Sequence, residues 1–331
     1  MSTDSNLSLS LVITSYTTER LNDIYELLGS IKQQTYRNME TIFVVERSEE
    51  LRDKLNEYIR EHQIERMRVI FSDKKLGLSM ARNLGIENAN GEIIAFVDDD
   101  VVLFPDWAEE MVKTYKDDTL IGVTGPGYPK WEDVKMSWLP DEFQWIVSCT
   151  AFTGWQNART VRSAWGMNMS FRREVFIDSR FSPDFGGTTG GKEAWKSGPV
   201  DDAEFSINAR MKTGKHILYN PKVQVYHNVY KYRLTSRFIK GQCYWQGYSK
   251  ALLKKMYSED KDTNNLVRER SVLGRILFKV LPLSLAGLFY KPSISFKRIK
   301  LSIYALFFVA LGYISCSCPR MFGFTKKYFS S

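Results

Sequence analysis

The first hundred residues alternate between strand-like and helix-like segments, and this alternation limits the fold more than any other feature of the chain. Short apolar runs occur at residues 9–14, 40–45, 68–71 and 91–97. Amphipathic or charged segments of helical length separate them, at residues 20–34, 49–61 and 78–88. Successive βα units form a parallel sheet whose ligands bind beyond the carboxyl ends of the strands. The sequence therefore predicts an α/β fold with a mainly parallel central sheet.

Three consecutive aspartates, Asp98, Asp99 and Asp100, follow the fourth apolar run. That run is continuously apolar, as in strands covered on both faces, so its end delivers three carboxylates to one edge of the sheet. Adjacent carboxylates repel by ~1 kcal/mol per pair in water, so a cation that neutralises them stabilises the cluster. Mg²⁺ and Mn²⁺ prefer such oxygen ligands, often together with substrate phosphates. The alternative interpretation is a solvated turn before a helix that begins at Pro105.

Other polar residues follow the first three predicted strands and should reach the same edge, namely Tyr16, Glu46 and Asp73. None of these strands is followed by a G-x-G-x-x-G or G-x-x-x-x-G-K-[ST] motif. The sequence thus argues against a dinucleotide site or a P-loop. A nucleotide held through a metal ion fits this edge better.

The middle of the chain adds a second group of candidate site residues. Asp201 and Glu204 have the spacing of a capping box, so Asp201 is interpreted as the N-cap of a helix that runs to about residue 212. Capping does not explain Asp202, which we expect to face a cleft. His227, at the predicted end of a strand, is either a further metal ligand or diphosphate contact, or a structural histidine. The glycine-rich residues 185–191 are a candidate lid.

Taken in order, these segments resemble family 2 glycosyltransferases of the GT-A fold over residues 9–237. Residues 10–16 look like the first nucleotide-binding strand of the family. Ala81-Arg82-Asn83, followed by residues 96–100, resembles its Ala-Arg-Asn helix leading to its Asp-x-Asp motif. Asp201-Asp202 stands where the family has Glu-Asp, whose second acid is the catalytic base. The resemblance implies a metal-dependent enzyme that inverts the configuration of the transferred sugar.

The resemblance also implies roles for individual residues. It makes Asp202 the catalytic base, and it makes Asp98 and Asp100 the ligands of Mg²⁺ or Mn²⁺. His227 is a further candidate ligand of the same ion, on chemical grounds alone. Glu46 stands where the family commonly has an aspartate that contacts uridine, and this departure leaves the nucleotide open. The predicted contacts of the nucleotide-sugar are Thr14, Tyr16, Glu46, Asp73, Arg82, Asp98 and Asp99.

The C-terminal third carries the positive charge of the chain. Residues 231–331 contain 19 Lys/Arg and four Asp/Glu, a net charge of +15, which leaves −7 for residues 1–230 out of a total of +8. Residues 231–257 read as an amphipathic helix with aromatic and basic faces, and residues 301–318 contain no charge. Such segments favour an anionic membrane surface. Nucleic acid is the competing partner, but no recognised nucleic-acid-binding motif accompanies the charge.

We therefore predict two domains: a GT-A catalytic domain at residues 1–230 and a helical membrane-association region at residues 231–331. The N-terminus has no basic region ahead of an apolar core, so no secretory signal is expected, and the catalytic domain is predicted on the cytoplasmic side of the cell membrane. Whether residues 301–318 cross the bilayer or lie in its interface stays open. Residues 280–290 are apolar but too short to cross, and Pro282 interrupts them.

A narrower resemblance concerns the acceptor. Residues 138–145 and 246–250 look like archaeal glucosyl-dolichyl phosphate glucuronosyltransferases, which implies a UDP-linked donor such as UDP-glucuronate and a dolichyl- or polyprenyl-phosphate saccharide as acceptor. A catalytically idle scaffold at the membrane and a polysaccharide or cell-envelope glycosyltransferase are the alternatives. The predicted acceptor contacts are Asp201, Trp138, Trp145, Arg233, Arg237 and Trp245.

Overall fold

The structure is a computed structural model that describes residues 7–185, 200–265 and 267–318, without the side chains of residues 263 and 264. Of the candidate lid at residues 185–191, all but residue 185 therefore lies outside the described residues. The described chain forms two compact units. The first unit contains residues 7–129, 155–185 and 200–228, and the second contains residues 130–154, 229–265 and 267–318. The predicted boundary after residue 230 lies close to the observed one after residue 228. The two divisions differ in residues 130–154, which were predicted in the first domain and belong to the second unit.

An eight-stranded mixed sheet organises the first unit, in the order β3-β2-β1-β4-β9-β6-β10-β8. The β3, β2, β1 and β4 strands are parallel, and β9 runs antiparallel to β4 and β6. A small sheet has the order β5-β11-β7. The strands are β1 Leu9–Ser15, β2 Met39–Glu46, β3 Met67–Ser72, β4 Ile93–Val97, β5 Val101–Leu103, β6 Leu120–Thr124, β7 Gly127–Trp131, β8 Arg159–Val161, β9 Asn168–Arg172, β10 His216–Tyr219 and β11 Val225–Val229.

The helices of the first unit connect these strands. They are α1 Leu21–Lys32, α2 Glu49–Glu61, α3 Leu78–Asn88, α4 Trp107–Thr114, α5 Val175–Asp178 and α6 Asp201–Thr213. Those of the second unit are α7 Ser236–Met256, α8 Lys261–Asn264, α9 Val267–Arg275, α10 Leu281–Ala286 and α11 Pro292–Ser317. The predicted parallel α/β core is thus confirmed, and the predicted α2 and α3 match the structure residue for residue.

Apolar residues of the central strands alternate between two buried clusters, one on each face of the sheet. In β1, Leu11 and Ile13 belong to one cluster and Val12 to the other. In β4, Ala95 belongs to the first and Phe96 to the second. Strands that are covered on both faces have continuously apolar sequences, which is why β4 contains no polar residue.

The segment after the aspartates differs from the prediction. A helix was expected to begin at Pro105, but α4 begins at Trp107, and the short strand β5 lies between it and the aspartates. The β5 strand pairs antiparallel with β11, with His227 opposite Val101. His227 therefore lies in the middle of a strand rather than at its end, and the pairing carries it next to Asp100.

In the second unit, α7 packs against α11 at two glycines. A Cβ on Gly247 would overlap the carbonyl oxygen of Val309, and one on Gly312 would overlap that of Tyr244. The aromatic side of residues 231–257 was predicted to face a membrane. Protein covers part of that side, since Phe238 is buried, whereas Met256 at its other end is exposed. The prediction is thus corrected for the covered part of α7 and stays a prediction for the rest.

Two helical segments of the second unit are long and apolar enough to cross a membrane, Val267–Phe289 and Pro292–Ser317. The first contains residues 280–289, nearly all of the apolar segment 280–290 that was predicted to be too short to cross a membrane. It is longer because α9 continues through a π-helical turn, Ile276–Val280, into α10. Pro282 lies just after this π-helical turn and inside the continuous helical run, where a proline removes one backbone hydrogen bond. Length and composition alone do not distinguish a crossing helix from one that lies in the interface.

Candidate functional site

The carboxyl end of β4 presents the three aspartates in three different environments. Asp98 has 35% of its side chain exposed, whereas Asp100 has 1%. Asp99 is buried and accepts hydrogen bonds of 2.6 Å from Ser15 Oγ and from the Arg20 guanidinium. Both Asp99 oxygens are therefore engaged by protein groups, and its predicted contact with the nucleotide-sugar stays a prediction.

Asp98, Asp100 and His227 form a cluster whose ligand atoms lie within 4.8 Å of one another. His227 is 1% exposed, and its Nε2 lies 3.4 Å from Asp100 Oδ1. Among the described residues, neither ring nitrogen of His227 has a hydrogen-bond partner. Buried polar atoms are normally satisfied. Carboxylates suit both Mg²⁺ and Mn²⁺, and an added imidazole is a ligand more typical of transition metals, so the donor set favours Mn²⁺. The residues present therefore fit a divalent cation.

Electrostatics favour a cation at the same place. Burial and the neighbouring Asp100 raise the pKa of Asp98, and Arg82 and His227 oppose this rise. A raised carboxyl pKa means that the ionised form is poorly compensated by the protein alone. A bound divalent cation supplies the missing positive charge.

Arg82 on α3 links this cluster to the start of α6. The guanidinium is 4% exposed and lies 2.6 Å from Asp201 Oδ2 and 3.6 Å from Asp98 Oδ1. Its NH2 group also donates to the Gly166 carbonyl oxygen at 3.4 Å. The N-cap of α6 is Val200, and no side chain caps the helix. The interpretation of Asp201 as a capping residue was therefore wrong, because its carboxylate pairs with Arg82 instead.

Asp202 occupies the first turn of α6 and is held by two backbone groups. Its Oδ2 accepts from Gly166 N at 2.8 Å, and its Oδ1 accepts from Ala203 N at 2.7 Å. Burial, and then the negative charge of Asp201, raise the pKa of Asp202 to about 6. A carboxylate with a pKa near the working pH is well suited to accept a proton. The side chain is thus fixed in position and poised to act as a base.

The predicted nucleotide contacts at the other strand ends are less uniform. Thr14 is half-buried on β1, Tyr16 is 50% exposed, and Asp73 is exposed. Glu46, at the end of β2, accepts from Gly77 N at 2.7 Å. Gly77 has φ +74° and precedes α3, the helix that carries Arg82. Glu46 therefore also has a structural role, which its position in the sequence did not indicate.

The remaining predicted acceptor contacts belong to the second unit, whereas Asp201 belongs to the first. Trp138 and Trp145 are half-buried against an apolar cluster around Phe143. Arg233 is only 8% exposed, within a short 3₁₀ helix that precedes α7. It was predicted to face a lipid phosphate on the outside of a helix; it is buried instead, and its contact with the acceptor stays a prediction. Of the last two, Arg237 is exposed and Trp245 is half-buried.

Some residues that shape the site were not found from the sequence. Gly166 contacts both Arg82 and Asp202 through its backbone, and no side-chain motif marks such a position. Arg20, which lies 3.3 Å from Asp100 Oδ2, was read only as the beginning of a helix. Its position after the first strand could have indicated this contact, because β1 and β4 are parallel neighbours whose carboxyl ends lie at the same edge of the sheet.

Comparisons with known proteins support a common ancestry for most of the chain. The family model described as Glycosyl transferase family 2 matches residues 10–180. A glucosyl-dolichyl phosphate glucuronosyltransferase from Haloferax volcanii is 30% identical over 262 residues, which cover 78% of this chain and 81% of that protein. A putative glycosyltransferase from Bacillus subtilis, EpsH, is 38% identical over 113 residues, or 34% of this chain and 31% of that protein.

Solved structures agree in fold. One is a mannosyltransferase from Pyrobaculum calidifontis in complex with GDP-Man and Mn²⁺, with a TM-score of 0.55 and 17% sequence identity. The match covers 91% of this chain and 87% of the mannosyltransferase chain. A structure of GalNAc-T7 with UDP, GalNAc and Mn²⁺ has a TM-score of 0.53 at 16% identity, over 81% of this chain and 54% of its own. At these identities the likeness establishes the GT-A fold.

Proposed function

Because the chain belongs to glycosyl transferase family 2, we propose that it transfers a sugar from a nucleotide-sugar to a lipid-linked acceptor with inversion at the anomeric carbon. One observation carries this proposal. Arg82 contacts both Asp98 of the candidate metal cluster and Asp201, so the cluster and the base Asp202 belong to one connected site. Glycosyl transfer needs both parts, a stabilised leaving diphosphate and a base for the acceptor hydroxyl.

The donor end of the site consists of Asp98, Asp100 and His227, which would hold Mn²⁺ or Mg²⁺. A bound divalent cation supplies Lewis-acid stabilisation of a leaving diphosphate. Arg82 is buried between carboxylates and keeps Asp98 in place. The solved relatives in fold were crystallised with Mn²⁺ and nucleotide ligands, which supports the same donor chemistry here.

The acceptor end of the site depends on Asp202. The acceptor oxygen attacks the anomeric carbon, the bond from that carbon to the diphosphate oxygen breaks, and the acceptor proton passes to the Asp202 carboxylate. Each Asp202 oxygen accepts one backbone N–H and keeps a second lone pair for this proton. Attack opposite the leaving group inverts the sugar configuration.

The identity of the substrates rests on the relative from Haloferax volcanii. Its name describes glucuronosyl transfer to glucosyl-dolichyl phosphate, and the match covers most of both chains. We propose UDP-glucuronate as donor and a dolichyl- or polyprenyl-phosphate saccharide as acceptor, at the cytoplasmic surface of the cell membrane. The two apolar helical segments of the second unit support a membrane location.

The test is a transfer assay on the full-length protein in detergent. UDP-glucuronate, UDP-glucose and GDP-mannose are each supplied with Mn²⁺, with Mg²⁺ or with a chelator, and either a glucosylated polyprenyl phosphate or water is the acceptor. We expect metal-dependent transfer of glucuronate to the lipid, with the opposite anomeric configuration in the product. Release of nucleoside diphosphate from none of the donors would support the idle scaffold instead. Equal transfer to a water-soluble saccharide would favour a polysaccharide acceptor.

A further inference from the structure

The second unit contains a cavity of about 350 Å³ that the proposed chemistry does not use. This volume lies within the range of ~300–1,000 Å³ found for small-molecule sites. Three parts of the chain form its walls: the 3₁₀ helix Val134–Trp138, the segment from Lys231 to Ile239, and the first half of α11. All three belong to the second unit.

The cavity is basic. Four lysines line it, Lys135, Lys231, Lys297 and Lys300, and among its described lining residues the only carboxylate is that of Asp133. Asp133 lies 3.4 Å from Lys231. Within the described part of the chain, the other three lysines form no ion pair. Several ammonium groups around one concave surface repel each other unless an anion lies between them.

Aromatic rings hold two of these lysines near the cavity. The Lys297 Nζ lies 5.7 Å from the centre of the Trp138 ring, and the Lys300 Nζ lies 5.5 Å from that of Tyr304. Such cation–π contacts favour the observed directions of the side chains. Arg298 further ties α11 to this wall by donating to the Trp138 carbonyl oxygen at 3.0 Å. All four lysines are exposed, and the aromatic contacts direct the charges of Lys297 and Lys300 toward the cavity.

The position of the cavity along α11 points to a lipid. Lys297, Arg298 and Lys300 are the last charged residues before residues 301–318, which contain no charge. Leu301 and Ile239 give the cavity an apolar side. Where an apolar helix meets a basic pocket, the pocket lies at the level of lipid headgroups and binds their phosphates. Lysine is a common ligand of phosphate in proteins.

We propose that this cavity binds the phosphate of the lipid-linked acceptor, with Lys135, Lys297 and Lys300 as its cationic ligands. The assignment of the lipid as acceptor rests on the proposed function, whereas the phosphate chemistry rests on the cavity alone. These exposed lysines are more accessible to a lipid headgroup than Arg233, which is buried. The isoprenoid chain would extend from the apolar side of the cavity along α11.

The test compares two triple variants that remove the same charge. Lys135→Gln/Lys297→Gln/Lys300→Gln changes the cavity, and Lys254→Gln/Lys255→Gln/Lys261→Gln changes exposed lysines elsewhere in the second unit. Binding of a short-chain polyprenyl phosphate to the full-length protein in detergent is followed by tryptophan fluorescence. No nucleotide-sugar is added. We expect the dissociation constant to rise at least tenfold in the cavity variant and to stay within twofold in the other.

Three further ligands identify the source of the phosphate: polyprenol, phosphatidylglycerol and inorganic phosphate. Polyprenol should bind far more weakly than polyprenyl phosphate, and neither of the other two should displace the latter at equal concentration. Equal competition by phosphatidylglycerol would make the cavity a general lipid site and overturn the acceptor assignment. Equal losses in both triple variants, or none, would overturn the site itself. The single variant Lys300→Gln repeats the comparison if the triple variant is less stable by thermal unfolding.

The outcomes also separate this inference from the proposed function. If the protein binds polyprenyl phosphate through these lysines but transfers no sugar, the proposed function is contradicted and the phosphate site is supported. Transfer to a lipid acceptor with an unchanged KM in the cavity variant would leave the function and overturn the site.

Discussion

Arg82 and Asp201 form a buried ion pair, with a guanidinium nitrogen 2.6 Å from the carboxylate and only 4% and 2% of their side chains exposed. They are 119 residues apart in the sequence, so the pair joins α3 to α6. Removing one partner of a buried pair typically costs ~3–5 kcal/mol because it leaves an uncompensated charge. Asp201 is thus engaged in structure, which supports the proposal that Asp202 is the acid that takes the acceptor proton.

The first prediction separates these two acids. Asp202→Asn should lower sugar transfer by ~10²–10⁴-fold, the usual worth of a general base, and should leave donor binding almost unchanged. It should also cost ~1–3 kcal/mol of stability, because the new NH2 group cannot accept one of the two backbone N–H groups that Asp202 accepts. Asp201→Asn should lower the free energy of unfolding by more, because Arg82 loses its charged partner. Transfer rates, donor dissociation constants and urea unfolding of both variants measure the difference. A larger loss of transfer in Asp201→Asn, at equal stability, would reverse the two roles.

The second prediction concerns pH. The pKa of Asp202 is raised to about 6, and a base must be deprotonated to act. Transfer should therefore be low below about pH 6, rise with a slope of one as the pH passes that value, and level off above it. The profile of kcat/KM at saturating Mn²⁺ measures this limb. The residual activity of Asp202→Asn should lack it; an identical limb in that variant would assign it to another group.

The third prediction concerns the metal cluster. His227→Ala should weaken the binding of Mn²⁺ by more than ~10–100-fold, because even residues that only support a metal ligand contribute that much. The matched control is His216→Ala, since His216 is an exposed histidine in the same unit. Isothermal titration with Mn²⁺ in the presence of UDP measures both. Similar affinities in the two variants would exclude His227 as a ligand and leave the two aspartates.

Much of the first unit could be predicted because its signals are local. Apolar runs and charged helices alternate along residues 9–97, and both α2 and α3 were placed at their observed bounds. The grouping of Asp98 and Asp100 at a strand end followed from the same pattern. Strand β5 has only three residues, too few for a periodicity, and its pairing with β11 is a long-range contact. The sequence therefore indicated His227 as a candidate metal ligand but did not indicate that its strand, β11, pairs with β5.

Other parts could not be predicted because they depend on backbone contacts between distant segments. The Gly166 N–H that fixes Asp202 belongs to a loop without a motif. The packing of α7 on α11 depends on Gly247 and Gly312, whose spacing in the sequence says nothing about which helix approaches. An amphipathic pattern is the same whether the apolar face meets lipid or another helix, so residues 231–257 were assigned to the membrane rather than to α11.

The fourth prediction tests that helix pair. Gly312→Ala should destabilise the protein by ~1–3 kcal/mol, the usual cost of overpacking, because the new Cβ would overlap the Tyr244 carbonyl oxygen. Gly274→Ala is the control, since its Cβ would meet no atom within 4 Å and alanine is the better helix former by ~0.5–1 kcal/mol. Thermal unfolding in detergent should shift down for the first variant and stay level or rise for the second. Equal shifts would contradict the close packing of α7 and α11.

The last prediction concerns the membrane. Deleting the C-terminal helices is not a clean test, because Leu301 and Ala305 belong to the same buried cluster as Phe143. Exposed residues are better targets: Phe278, Phe289 and Phe307 are 84%, 87% and 59% exposed. Full burial of each phenylalanine in lipid would contribute ~1.5–3 kcal/mol. Replacing all three with aspartate should therefore abolish flotation with liposomes of mixed neutral and anionic lipids, while circular dichroism stays unchanged.

The matched control for this variant is Ile177→Asp, which changes a residue that is 76% exposed in the first unit and should leave flotation intact. Salt separates the two forces that could hold the protein on a membrane. At 1 M salt the screening length falls to ~3 Å, so attraction between the basic residues and anionic lipid is lost while apolar insertion remains. The wild type should stay with the liposomes under these conditions. If it is released, and if the triple aspartate variant still floats at low salt, the second unit holds the membrane by charge alone and neither apolar segment inserts.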